Sequence, residues 1–296
     1  MQPYLLKETR AYEAWREQKL NNYPQNEKQL IIKLNNPIKL VDKEINALKS
    51  TCTKSNMVIY RCVTDVDPKQ SALLIAQQLG LQQLDANICA DEDRISAIED
   101  SGDIHSHYIP YTNKALNWHT DGYYNGEQQR IHAFLMHCVR PAKNGGENTY
   151  LDPEIAYILL RDENPDYIAA LMDKNVMTVP ANETDENNVR DAQSGPVFYI
   201  DLIGNLCMRY TARQRSIVWK QEKSVQNALA CLQEILHNNP YMFSYRLNTK
   251  EGVICNNVLH KRTAFIDNAH QKRLLYRGRF YNRVTSNETL KNAVNQ

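Results

Sequence analysis

The sequence predicts a mainly β protein with flanking helices, and three observations carry that prediction. From about residue 94 the chain breaks into short β-type runs: ISAIED, YIPYTN, HAFLMHCV, ENTYLD, VMTVP, VFYIDL, LCMRYT, FSYRL and GVICNNVL, most of them bounded by turn or polar clusters. Two helical insertions interrupt them. One is PEIAYILLRD with its continuation to about residue 172; the other is SVQNALACLQEILHNN (224–239), stopped by Pro240. No repeat, low-complexity run or Gly/Ser linker divides the 296 residues. Many short strands at loose spacing point to an antiparallel sandwich or barrel. We read residues 1–296 as a single domain, with 1–90 as flanking α/β elements and 91–285 as the strand-rich core. Two domains joined near residue 90 would be the alternative, but nothing there resembles a linker.

Along the chain, roughly the first 25 residues read as a helix of mixed charge. QLIIKL (29–34) is a short strand, residues 42–49 are helical, and MVIYRC (57–62) is a buried strand. KQSALLIAQQLG (69–80) is an amphipathic helix with a C-terminal stop at Gly80. These first 90 residues carry no motif assignable to chemistry.

Composition excludes several classes. The 35 basic and 34 acidic residues leave a net charge of +1, so no nucleic-acid or acidic-membrane partner is expected. The seven cysteines are odd in number and form no C-x-x-C pair. That argues against a disulfide framework or zinc knuckle and for a reducing cytoplasm. The N-terminus has no apolar h-region, and no run approaches ~18 apolar residues. No heptad or apolar stripe fixes the assembly, so a monomer and a homo-oligomer both stay open.

The most informative stretch is LNWHTDGYYNGEQQRIHAFLMHCVRPAKNGGENTYLD (116–152). His119 and Asp121 are two apart, so on a strand both side chains reach one face and one ion. A third imidazole would complete the two-His-one-carboxylate facial triad of non-haem Fe(II) oxygenases. H-x-D alone is a weak signal. However, Gly122, Gly126, Gly145 and Gly146 follow, four of the chain's ten glycines, and they mark a place where the chain bends tightly. The second stretch is GVICNNVLHKRTAFIDNAHQKRLLYRGRFYNRV (252–284). His260 closes an apolar run, and Arg273, Arg277 and Arg279 follow. A guanidinium suits bidentate binding of a carboxylate, although a solvated basic strand edge is the plainer reading of the three arginines.

Taken together, H-T-D, then G-G-x-x-T, then N-x-x-L-H-x-R-x-x-F and R-L-L-x-R resemble the taurine dioxygenase (TauD/TfdA-like) superfamily, which includes gamma-butyrobetaine hydroxylase and clavaminate-synthase-like enzymes. The resemblance covers roughly residues 95–285. It implies a double-stranded β-helix (jelly-roll) core with helical insertions. It also implies an Fe(2+) ion held by His119, Asp121 and His260, with 2-oxoglutarate and O2 as cosubstrates. By motif, Arg273 matches the arginine that pairs with the distal carboxylate of 2-oxoglutarate, and Thr149 the threonine that hydrogen-bonds it. Arg277 falls where some members place a second arginine near cosubstrate or substrate. GGENT carries one residue more than the commoner G-G-(D/E)-T, which leaves Asn148 and Thr149 both open as the side chain facing the cosubstrate. Asn117 and Asn257 flank the ligands and, with Tyr123 and Tyr124, are candidate substrate-side residues. Halogenases of the superfamily replace the carboxylate ligand with Gly or Ala. Asp121 is kept here, so the implied reaction is hydroxylation or desaturation of a small polar or zwitterionic metabolite, with release of succinate and CO2. A zinc-type metallohydrolase on the same ligands, or a non-catalytic jelly-roll binding protein, are the rival readings. The first has no need of Thr149 and Arg273; the second would tolerate loss of a ligand, yet all three are present.

Other candidates are read more plainly. His105 and His107 share an H-x-H spacing without a partner pattern. His132 is a candidate support for the ligands and His137 is structural. Cys138 and Cys255 are buried small hydrophobes rather than nucleophiles.

Overall fold

The computed structural model describes residues 2–86, 93–100, 102, 109–182, 190–213 and 217–285. His105 and His107 lie outside them. The chain forms two compact units from interleaved segments. Unit 1 comprises residues 1–23, 118–130 and 151–242; unit 2 comprises 24–117, 131–150 and 243–296.

Unit 2 carries a six-stranded sheet in the order Ile31–Leu34, Met57–Cys62, Glu251–Cys255, Ala133–Arg140, Leu274–Phe280, Ser96–Ile98. Ile31–Leu34 pairs in parallel with Met57–Cys62, and the other four pairings of the sheet are antiparallel. One face, with Tyr60, Leu135, Ile254 and Phe280, packs on Leu48 and Cys52 of the helix Asp42–Ser55 and on Ala72 and Ile75 of the helix Pro68–Gln78. Successive side chains of a strand face opposite ways. Phe134, Met136 and Cys138 therefore point to the other face, level with Arg279, Arg277 and Leu275 of the neighbouring strand. A four-stranded sheet follows the order Phe243–Tyr245, Asn148–Leu151, Leu259–Arg262, Leu116–His119. Phe134 meets His260 of this second sheet, with ring centroids 4.7 Å apart. The two sheets are those of the predicted jelly roll.

Several local differences from the sequence reading have physical causes. YIPYTN forms a 3-10 turn, Ile109–Tyr111, rather than a strand. The run GVICNNVL is split, because Asn257 takes a left-handed φ of 49° between the strands Glu251–Cys255 and Leu259–Arg262. His260 therefore lies within a second strand instead of closing the first. In unit 1 the helix expected to continue to about residue 172 is two helices, Pro153–Glu163 and Pro165–Leu171. Pro165 has no N–H to extend the first helix. It starts a new one whose Asn164 cap accepts from the Asp166 N–H.

Unit 1 also holds the helices Thr9–Asn22 and Lys223–His237, the sheet Val218–Trp219/Met177–Val179/Gln193–Gly195, and the hairpin Phe198–Ile200/Leu206–Met208. The N-terminal helix is anchored by Lys19, buried against Asp152 at 2.6 Å and Glu154 at 2.5 Å. Among the described residues no helix is long and apolar enough to cross a membrane.

Candidate active site

In unit 1 the segment 118–125 is shaped by its own backbone. The Thr120 N–H donates to the Tyr210 carbonyl, the Tyr210 N–H to Thr120 Oγ1, and the Ala212 N–H to the Trp118 carbonyl. His119 bridges Thr211. The chain then turns at Gly122, whose φ of 66° favours glycine. This brings two sequence-predicted residues together: His119 Nε2 lies 3.7 Å from Asp121 Oδ1, and both side chains are buried. That separation is too long for a hydrogen bond. It suits two ligands of one cation, which at metal–ligand distances of about 2.1 Å stand roughly 3 Å apart in cis positions.

Tyr123 and Tyr124 follow, half-buried, with rings at 5.3 Å in an edge-to-face pair. Arg213 approaches the Tyr123 hydroxyl at 3.4 Å. Arg209 donates from Nε to the Tyr123 carbonyl at 2.7 Å. Sequence reasoning gave Arg209 no role.

Unit 2 holds the remaining predicted residues. His260 is buried, with Nδ1 3.0 Å from the Val258 carbonyl. A carbonyl only accepts, so Nδ1 carries the hydrogen and the lone pair sits on Nε2, the tautomer a metal ligand requires. The Phe134 and Tyr150 rings flank this imidazole.

Arg273, Arg277 and Arg279 are not a solvated edge. They are 3%, 8% and 6% exposed, at the start of and along a strand flanked on both sides. Arg279 is ion-paired to Asp85, while Arg273 leaves Nη1 buried without a hydrogen-bond partner among the described residues. Burial lowers the Arg273 pKa to about 10, so it keeps its charge at neutral pH. The guanidinium lies over the Phe265 ring at 5.1 Å, in the wall of a small cavity with Cys138, Gly146, Asn148, Arg246 and Leu275. Gly145 and Gly146 have φ of 71° and 73°. A Cβ on Gly145 would meet the Ala264 carbonyl at 2.2 Å, and one on Gly146 would sit 3.3 Å from Arg273 Nε. The double glycine is thus what lets the backbone close around Arg273.

Strand phase separates the two residues left open by the GGENT motif. Asn148 lines the Arg273 cavity, whereas Thr149 pairs in register with Ser244, their hydroxyl oxygens 2.9 Å apart. Asn257 spends its side-chain amide on the Ile131 carbonyl at 2.6 Å, holding the bend before His260. Asn117 is exposed. His137 faces the helix-covered side, Nδ1 2.9 Å from the Tyr60 hydroxyl, and burial lowers its pKa to about 4. Cys138 is buried in the cavity wall with its thiol pKa pushed up to about 12, which fits a packing role. A second cavity of about 320 Å³, by Leu73, Ala76, Leu84 and Phe280, holds none of the predicted residues.

Residues 24–279 match the model of the family described as taurine catabolism dioxygenase TauD, TfdA family. A uridine-5'-phosphate dioxygenase of Amycolatopsis sp is 25% identical over 170 residues, 54% of this chain; the match spans 58% of that protein's length. Among solved structures, an asparagine oxygenase with Fe(II), 3-hydroxyasparagine and succinate superposes with a TM-score of 0.59 at 14% identity, covering 85% of this chain and 93% of that one. The non-heme iron oxygenase OrfP with Fe and alpha-ketoglutaric acid gives a TM-score of 0.59 at 15% identity, covering 81% and 80%. Likenesses at this identity establish the shared fold.

Proposed function

This chain belongs to the taurine catabolism dioxygenase TauD, TfdA family, and from that premise we propose that His119, Asp121 and His260 hold a ferrous ion at which 2-oxoglutarate and O2 are used to hydroxylate a small polar metabolite. The family's members are 2-oxoglutarate-dependent non-haem iron dioxygenases. The strand that leads into His119 neighbours the strand of His260 in the four-stranded sheet, which supports a shared ion. The observation that carries the reading is Arg273: a charged, buried guanidinium with an unused donor, in a cavity built around two glycines. A zinc hydrolase has no need of such a carboxylate socket.

When bound, the iron and its cosubstrates supply the oxidising chemistry: 2-oxoglutarate is split to succinate and CO2, and one oxygen atom of O2 enters a C–H bond of the substrate. The chain's own residues bind and orient. Arg273 pairs with the distal carboxylate of 2-oxoglutarate, and Asn148, rather than Thr149, supplies the neutral donor beside it. The Nδ1–H bond of His260 to Val258 fixes which nitrogen faces the metal. Arg277, on the same face as Arg273, takes a second anionic group, of cosubstrate or substrate. Tyr123 and Tyr124 line the substrate side. The named relative oxidises a nucleotide, so the substrate we favour is a polar metabolite with an anionic group. The described cysteines are free thiols, which fits a reducing cytoplasm.

The test is anaerobic addition of Fe(II) and 2-oxoglutarate, read by the weak visible charge-transfer band of the iron-bound 2-oxo acid, followed by succinate release across uridine 5'-phosphate, amino acids and other anionic metabolites. Appearance of the band in the wild type and its loss in His260→Ala support the proposal. Iron binding with no band at saturating 2-oxoglutarate defeats it.

A further inference from the structure

Two buried arginines outside the ligand and cosubstrate set converge on the segment that carries His119 and Asp121. Arg209 is 4% exposed and forms no ion pair with a carboxylate among the described residues. Its donors go to main-chain carbonyls: Nε to Tyr123 at 2.7 Å, Nη1 to Met177 at 2.9 Å and Gly195 at 3.4 Å, and Nη2 to Gln193 at 2.8 Å. Three of these acceptors belong to or border one small sheet, and the fourth is two residues past Asp121. The fork therefore pins the loop after the ligands to a rigid neighbour. Arg262 does the same on the other side of the segment. It is 5% exposed and donates from Nη1 to Pro110 at 3.1 Å, and from Nη2 to Thr112 and Lys114, both at 2.7 Å. Lys114 lies five residues before His119. A planar guanidinium serves several carbonyls in fixed directions, which a lysine ammonium on a flexible stem does not.

We propose that Arg262 and Arg209 are positioning residues that hold the chain on either side of His119 and Asp121, fixing the geometry in which those two side chains meet a metal ion. The inference rests on the iron-site reading above. Both guanidinia are buried, and each spends its donors on several main-chain carbonyls. Removing the fork frees residues 110–114 or the turn at 122–125, and with it the 3.7 Å spacing of His119 and Asp121.

Arg161 provides an internal control. It is an equally buried guanidinium that donates to the Pro3, Leu5 and Leu6 carbonyls and to the Tyr157 hydroxyl, on a segment with no ligand. Mn(II) binding is titrated by EPR in wild type, His119→Ala, Arg209→Lys, Arg262→Lys and Arg161→Lys, with melting temperature and amide exchange of residues 109–125 measured alongside. We expect Arg209→Lys and Arg262→Lys to weaken Mn(II) by about ten-fold or more and to speed exchange in 109–125. Arg161→Lys should lose comparable melting temperature with its Mn(II) affinity unchanged. Should one lysine variant not fold, the other carries the test from its own side of the ligands. If both weaken Mn(II) no more than Arg161→Lys does at equal loss of stability, the positioning role is overturned while the metal site stands. If wild type itself binds no Mn(II), or His119→Ala binds it as wild type does, the iron-site reading is what fails.

Discussion

Replacing Arg273 with methionine should move stability and cosubstrate binding in opposite directions. Arg273 is a buried cation with a donor unused among the described residues, its pKa lowered from 12.5 to about 10 chiefly by desolvation. At ~1.4 kcal/mol per unit, that depression corresponds to about 3 kcal/mol of folding free energy lost at neutral pH, where the group stays charged. The sign is fixed: a base whose folded pKa lies below its unfolded value destabilises the fold at every pH below both. Against this stands the cation–π contact with Phe265 at 5.1 Å, worth ~1–2 kcal/mol when desolvated. Arg273→Met removes both and retains an apolar stem, for a net gain of about 1–2 kcal/mol. In a chain of this size that is a rise of roughly 2–8 °C in melting temperature. The same substitution removes a buried charge-assisted partner for 2-oxoglutarate, costing ~3–5 kcal/mol of binding, or a factor of more than about 100. Scanning fluorimetry with and without Mn(II) and N-oxalylglycine reads both effects. A variant that melts below wild type without ligand, yet keeps the full ligand-induced rise, would refute the argument.

Two further outcomes follow from the same geometry. Asn148→Ala should weaken 2-oxoglutarate by about 10- to 100-fold, the worth of a hydrogen bond to a charged group, whereas Thr149→Val should leave the dissociation constant within about two-fold; anaerobic titration of the charge-transfer band decides it, and the reverse ranking would return the role to Thr149. Burial lowers the His137 pKa to about 4, below its usual 6.5, so the neutral ring hydrogen-bonded to Tyr60 contributes stability that is present above pH 6.5 and lost as pH falls towards 4, up to about 3 kcal/mol. Urea midpoints across that range should show a shallower acid decline in His137→Phe, and superimposable acid limbs would rule this out.

How much of this was legible in the sequence depended on the range of the interaction involved. MVIYRC has the same bounds as the strand Met57–Cys62, because a continuous apolar run needs no distant partner to be recognised. His119 and Asp121 read as alternate residues of one strand; the strand in fact ends at His119 and Asp121 lies in the turn that follows, yet the two side chains still stand 3.7 Å apart. Asn148 against Thr149 was not, since the inward-facing one of two adjacent residues is set by register with Phe243–Tyr245, nearly a hundred residues on. YIPYTN read as a strand, but the Pro110 and Thr112 carbonyls are claimed by Arg262, 152 and 150 residues away. The arginines of RLLYRGRF read as an edge because charge normally marks solvent. Their burial follows from the strands on either side, which no local pattern reports. Arg209 left no trace at all, because its acceptors are main-chain carbonyls, and every residue has one.

Buried guanidinia in this protein divide by what their donors meet, and that division tells a structural arginine from a ligand-binding one. Arg161, Arg209 and Arg262 direct two or more donors to main-chain carbonyls. These satisfy hydrogen bonds without neutralising charge, so they organise backbone while the cation stays electrostatically exposed to its neighbours. Arg279 is neutralised by Asp85. Arg273 has neither solution among the described residues: it forms no ion pair and leaves Nη1 without an acceptor, beside Gly146 and over the Phe265 ring. The cost of that choice is visible next door. Arg262, with its own donors to carbonyls, is lowered to about 9, first by burial and then by repulsion from Arg273 and Arg277. Phe265 lies against both Arg262, at 5.0 Å, and Arg273, at 5.1 Å. An anion at Arg273 offsets repulsion that Arg262 also feels. The proposed cosubstrate socket and the staple on residues 110–114 are therefore parts of one electrostatic unit, with the chain that leads to His119 attached to it.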